Sequence, residues 1–196
     1  MAALAAVVLD NEFEAAAISG ISLNFGYRED NRLAVIDRVW ADRARVKPGE
    51  TVEVNVQLRQ ARGAEELVRL SVTVPVAAAP GPIELAVGDA GSMARFESRT
   101  QRAAPRTLNQ VIELINRLRK SSHVYALLTR PDVGIAVRGE RLSSLPPSAY
   151  ALVSGGDGAD SLTPLKRVTM DEREATTDFL VSGLKTLRLT VEGARK

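Results

Sequence analysis

Gly88-Asp89-Ala90-Gly91-Ser92-Met93 comes nearest to a reaction centre: small residues flank a serine, as in loops that expose a nucleophilic hydroxyl. Such a serine needs a base to take its proton, and the chain has a single histidine, His123. In chymotrypsin-like and subtilisin-like orders the histidine precedes the serine; here it follows. The order that places histidine last uses a Gly-x-Ser-x-Gly elbow, which Gly91-Ser92-Met93-Ala94 does not supply. Asp89 and Ser92 are both good helix caps, and Ser92 is expected to cap the helix that follows. The sequence assigns no catalytic residue. A serine hydrolase using Ser92 and His123 stands as the alternative.

His123 follows Ser121-Ser122 at the end of an amphipathic stretch, where an imidazole is expected to bond the last helical carbonyls. As a metal ligand it would have only carboxylates for company. Asp157 and Asp160 sit in a Gly/Asp run that lacks the alternating oxygen ligands and closing glutamate of a calcium loop. Asp171, Glu172 and Glu174 surround Arg173 on a polar segment expected to form an exposed strand face or a protected edge. No metal or cofactor site follows from these residues.

Arg99, Arg102, Arg106, Arg117, Arg119, Lys120 and Arg130 gather around two helical stretches. Glu97 and Glu113 interrupt them and Tyr125 is a thin aromatic supplement, so a solvated helix face is expected in place of a nucleic-acid groove. A net charge of +2 gives no general pull toward nucleic acid either, although the pI is about 9.1. With no cysteine, thiolate nucleophiles, disulfides and cysteine-ligated metals are excluded.

The elements that would hold these residues are mostly strands. Hydrophobic residues make up 45% of 196 residues but aromatics only 4%, so the core must be built from Val, Leu, Ile and Ala. Ile18–Tyr27 alternates in part and reads as a strand, as does Leu33–Val46 with Val35, Val39 and Trp40. After the turn Lys47-Pro48-Gly49-Glu50, Val52, Val54, Val56 and Leu58 alternate with polar residues. Val68, Leu70, Val72 and Val74 repeat the pattern beyond Gly63, which predicts a hairpin. Another strand carries Ile83, Leu85 and Val87 after Pro80-Gly81-Pro82. Short alternating strands at this spacing argue for an antiparallel sandwich.

Helical patterns follow at Ser92–Arg102 and, more sharply, at 107–120. There Thr107 and Gln110 form a capping pattern, and Leu108, Val111, Ile112, Ile115 and Leu118 a buried stripe. Arg117, Arg119 and Lys120 are expected in its last turn. Short strands are expected at Val124–Leu128 and Gly134–Val137, then a brief piece from Pro146 to Val153 and a Gly-rich loop over Ser154–Ser161. A polar strand should run from Leu165 toward Ala175, and a hairpin turning at Ser182-Gly183 should join Phe179–Val181 to Leu187–Val191. Met1–Leu9 is short and lacks a basic start, a poor signal peptide, and no apolar run reaches the roughly 20 residues of a membrane span.

Val46–Leu58 (V-K-P-G-E-T-V-E-V-N-V-Q-L) is similar to the turn-and-strand signature of bacterial immunoglobulin-like modules. The ordered set Trp40–Arg43, Pro80–Pro82 with Val87–Asp89, Leu108–Arg119, Ser144–Ser148 and Thr177–Gly183 goes further. It resembles the C-terminal, non-peptidase region of exported bacterial proteins related to the stage IV sporulation protein B type of serine peptidase. That resemblance spans roughly Ile18 to Val191 and supplies no catalytic residues. It implies an accessory or interaction module facing the cell envelope or secreted. The expected fold is mostly β (α+β): an antiparallel immunoglobulin-like β-sandwich over 13–90 with an appended helix-containing α+β portion over 91–196. Sheet edges invite strand addition, so the expected partner is another protein or a second copy through an edge strand, with no nucleic acid and no membrane insertion.

Overall fold

Apolar residues at every second position over Val52–Leu58 and Val68–Val74 bury one face of two neighbouring strands, and that face closes on a second sheet. The computed structural model describes residues 2–24, 26, 32–60, 63–100, 105, 107–137, 140–142 and 162–193. Its elements in chain order begin with α1 (Ala2–Leu9), β1 (Leu33–Ala41), β2 (Arg45–Val46), β3 (Thr51–Gln60), β4 (Glu65–Thr73) and β5 (Gly81–Gly88). There follow α2 (Ala90–Thr100), α3 (Leu108–Asn116), β6 (His123–Val137), β7 (Glu140–Leu142), β8 (Leu162–Thr176), β9 (Leu180–Ser182) and β10 (Leu184–Val191). The protein is mostly β. The expected piece from Pro146 to Val153 and the loop over Ser154–Ser161, with Asp157 and Asp160, lie outside the described residues.

The chain divides into two compact units, each drawn from three stretches. The smaller takes residues 1–30, 103–118 and 135–163, and within it α1 packs on α3 and the end of β6 pairs antiparallel with β7. The larger takes 31–102, 119–134 and 164–196 and holds the main core.

Among the described residues the strands form two sheets: a four-stranded one ordered β4-β3-β1-β9, and a six-stranded one ordered β2-β10-β5-β6-β7 with β8 paired to β6. Val52, Val54, Val56 and Leu58 of β3 meet Ile83, Leu85 and Val87 of β5 and Val124, Ala126 and Leu128 of β6 in one apolar cluster. The β3–β4 hairpin is as expected, with Val52 opposite Val72 and Val56 opposite Val68. Gly49 (φ 84°) and Gly63 (φ 83°) take left-handed backbone at its two ends, where a Cβ would be strained. The Lys47–Glu50 turn is closed by the Lys47 N–H donating to a Glu50 carboxylate oxygen at 2.8 Å.

Residues 123–129 of β6 are buried without alternation, because that strand is covered on both faces. Its odd residues, Tyr125 and Leu127, join Ala86, Met93 and the partly buried Phe96 in a second apolar cluster, which seats α2 on the outer face of the β5–β6 pair.

Several expectations are corrected. Residues 18–24 form no strand; Ile18, Ile21 and Leu23 are exposed, and alternation alone makes no strand without a partner to bond. The sheets are not wholly antiparallel, since β9 runs parallel to β1 and β2 parallel to β10. No hairpin joins β9 to β10: Gly183 (φ 116°) turns the chain from one sheet into the other. The two strands expected at Val124–Leu128 and Gly134–Val137 are one, β6. Helix α3 ends at Asn116, so Arg117 is its C-cap and Arg119 and Lys120 lie beyond it. Of its expected stripe only Val111 is buried, while Ile112 and Leu118 are exposed. Thr107 does cap it, accepting the Gln110 N–H at 3.2 Å.

Candidate functional site

Asp89 and Ser92 lie at the start of helix α2 and His123 at the start of β6, each with its own partners. The cap of α2 is Asp89, not Ser92. One Asp89 oxygen accepts the Ser92 N–H at 2.9 Å, and the other accepts the Ser92 hydroxyl at 2.6 Å and the Gly183 N–H at 2.8 Å. Ser92 therefore sits inside the first turn, three residues past the cap, and its Oγ also accepts from Arg95 Nη2 at 3.0 Å. Burial alone would raise the Asp89 pKa, but the bonds from the Ser92 side chain and the Ser92, Gly183 and Gly91 backbones outweigh it and hold the carboxyl below its ordinary range.

His123 opens β6 instead of bonding helical carbonyls. Its Nδ1 lies 3.3 Å from Ser122 Oγ and its Nε2 3.2 Å from Thr176 Oγ1, so both ring nitrogens face hydroxyls. The ring stacks on Tyr125 with centroids 6.0 Å apart, as residues two apart on one strand face can. Ser92 and His123 are thus each engaged with other groups, and no hydrogen bond joins them.

A further polar arrangement joins residues that no sequence pattern links. Arg119 clasps Glu97 of α2 with two bonds (2.7 and 3.1 Å) and Glu172 of β8 with two more (2.6 and 3.2 Å), and its guanidinium stands 5.2 Å over the Tyr125 ring. Burial works against its charge, yet the two carboxylates more than offset that and raise its pKa further. The Tyr125 hydroxyl accepts the Lys120 N–H at 2.6 Å and donates to the Lys120 carbonyl at 3.3 Å. Burial is the main reason its pKa is raised. This arrangement ties α2, β6 and β8 together through charge.

The remaining sequence candidates are placed apart from one another. Asp171 accepts the Thr73 N–H of β4 at 2.7 Å and pairs with Arg173 at 3.1 Å. Arg117 pairs with Glu113 at the end of α3, and Arg130 donates to the Ala79 carbonyl at 3.3 Å. A groove of about 1160 Å³ lies beside the short edge strand β2, lined by Arg45, Lys47, Val76, Thr190 and Glu192 among others; neither Ser92 nor His123 reaches it. Among the described residues no cluster of three or more His, Asp or Glu side chains could hold a metal ion, and no helix is long and apolar enough to cross a membrane.

A scan of protein-family models, a search of curated proteins and a search of solved structures each found no match to this chain.

A cation at the end of an amphipathic stretch reads as part of the last helical turn, and that pattern gives Arg119 no other role. Nothing in the sequence marks Glu97 or Glu172 as its partners, since 22 and 53 residues separate them from it.

Proposed function

We propose that this chain is a non-catalytic accessory or interaction module with an immunoglobulin-like sandwich and an appended helix-containing portion. We assign it, on the motif resemblance, to an exported bacterial protein related to the stage IV sporulation protein B type serine peptidases, working outside the cytoplasm. The observation that carries the non-catalytic part is the mutual engagement of its reactive groups. Ser92 Oγ is held between Asp89 and Arg95, and both His123 nitrogens face the hydroxyls of Ser122 and Thr176. A nucleophile works when its base reaches its proton, and here an acid cap occupies that place.

The test is labelling with a fluorophosphonate probe. The expected result is no adduct on Ser92, with wild type and Ser92→Ala giving the same background. Stoichiometric labelling of Ser92 that His123→Ala abolishes would overturn the proposal in favour of a serine hydrolase.

A further inference from the structure

β4 ends the four-stranded order β4-β3-β1-β9, and among the described residues no strand pairs with its outer edge. Val74 donates its N–H to the Glu50 carbonyl and Gln60 its N–H to the Ala64 carbonyl, which fixes the hydrogen-bonding parity of the hairpin. By antiparallel alternation the even residues of β4 bond to β3, and the N–H and C=O groups of Glu65, Leu67, Arg69, Ser71 and Thr73 point outward. Asp171 takes the Thr73 N–H and stops the edge at that end; the turn at Gly63 stops it at the other. Between them the strand carries no proline, glycine, lysine or bulge, the usual devices that blunt an edge.

We infer that β4 pairs antiparallel with β4 of a second copy of this chain, about a two-fold axis at Leu67. Charge selects both the partner and the register. With the axis at Leu67, Glu65 of each copy faces Arg69 of the other, and the exposed Leu67 side chains meet each other at the centre. An axis at Glu65 sets carboxylate against carboxylate, and one at Arg69 sets guanidinium against guanidinium. An axis at Ser71 leaves Arg69 opposite Thr73, whose N–H is already taken. Among the described residues Arg69 makes no ion pair within its own chain, and Glu65 accepts only from the neutral Gln57. The pairing exchanges about six backbone hydrogen bonds between Glu65, Leu67 and Arg69 and their counterparts.

The inference deepens the interaction-module proposal and rests on it. Because the chain has no cysteine, a single introduced thiol reports one position. Opposed Cα atoms at a hydrogen-bonded antiparallel pair lie about 5.5 Å apart, within disulfide reach, so Leu67→Cys should oxidise to a covalent dimer. Arg69→Cys should not, because it faces position 65 of the partner. By sedimentation equilibrium the wild type should dimerise, and Arg69→Glu or Glu65→Arg should each weaken the dimer about tenfold or more. The double swap should restore it, and a mixture of the two single variants should form a heterodimer.

A wild type that stays monomeric up to ~1 mM, equal cross-linking at 67 and 69, or a charge swap without effect would overturn the pairing. With Ser92 unlabelled, such a result sinks the pairing alone. A labelled Ser92 sinks the module proposal whatever the assembly.

Discussion

Asp89 and Gly183 hold each other by two hydrogen bonds: the Asp89 N–H donates to the Gly183 carbonyl at 3.0 Å, and the Gly183 N–H donates to the Asp89 carboxylate at 2.8 Å. One carboxylate thus caps α2 and fixes the point where the chain leaves one sheet for the other. Asp89→Ala should cost about 2–3 kcal/mol in urea unfolding, a helix cap of about 1 kcal/mol plus the unpaired Gly183 and Ser92 donors. A loss under about 0.5 kcal/mol would mean that water replaces the carboxylate.

The same carboxylate makes stability depend on acid. Its pKa is lowered on folding, so the native state binds the proton less tightly than the unfolded chain. Its contribution is complete above the ordinary carboxylate value near 3.8 and is lost as pH falls through the lower folded value. Asp89→Asn should therefore be less stable than wild type at pH 7 and lose less on acidification. Stability that falls equally for the two proteins as pH is lowered through and below the ordinary carboxylate range would refute this.

Arg119→Ala should destabilise by about 2–4 kcal/mol, because it removes the guanidinium that bonds both Glu97, partly buried, and Glu172. Removing Glu97 as well should recover part of that loss in a double-mutant cycle. Arg119→Lys should fall between, since an ammonium cannot clasp both carboxylates with paired bonds. Additive single and double losses would show that the cluster is not coupled.

How much of this was legible in the sequence depends on what stands behind each pattern. The β3–β4 hairpin was readable because one face is buried and the other wet, which imprints alternation on Val52–Leu58 and Val68–Val74. β1 was readable only in part. Its register shifts at Asp37, so the inward residues are Ala34 and Ile36 before it and Val39 and Ala41 after it. Trp40 and Val35, apolar members of the expected strand, are therefore exposed. The β5–β6 centre shows no alternation because α2 covers its outer face. The parallel pairings and the Arg119 cluster are contacts between distant segments, and no local pattern encodes those.

The bulge at Asp37 gives a paired test. Ile36→Ala should cost about 2–4 kcal/mol, whereas Val35→Ala next to it should stay within about 0.5 kcal/mol. Comparable losses at both positions, by urea unfolding, would place the inward face elsewhere.

Gly88 has no room for a side chain. A Cβ there would stand 2.8 Å from Leu184 Cδ1, and 3.2 Å from both the Gly183 carbonyl oxygen and Met93 Sδ. Gly88→Ala should lower stability by about 1–3 kcal/mol. Trimming Leu184 to alanine in the same chain should return only part of the loss, because the carbonyl does not move with it. Full recovery would show that Leu184 alone sets the constraint.

One residue, Gly183, separates the last strand of one sheet from a central strand of the other, and that spacing governs how the protein can reach its native state. β9 meets β1 across 147 residues (Leu33 with Leu180), and β10 meets β5 across 96 (Gly88 with Leu184). The β3–β4 hairpin can zip early from its own turn, but during synthesis both sheets wait for the same late stretch of polypeptide. Folding should then be slow for a domain of this size and complete in one step as β9 and β10 dock, leaving the Val- and Leu-rich edges of β1 and β5 open to chaperones until they do.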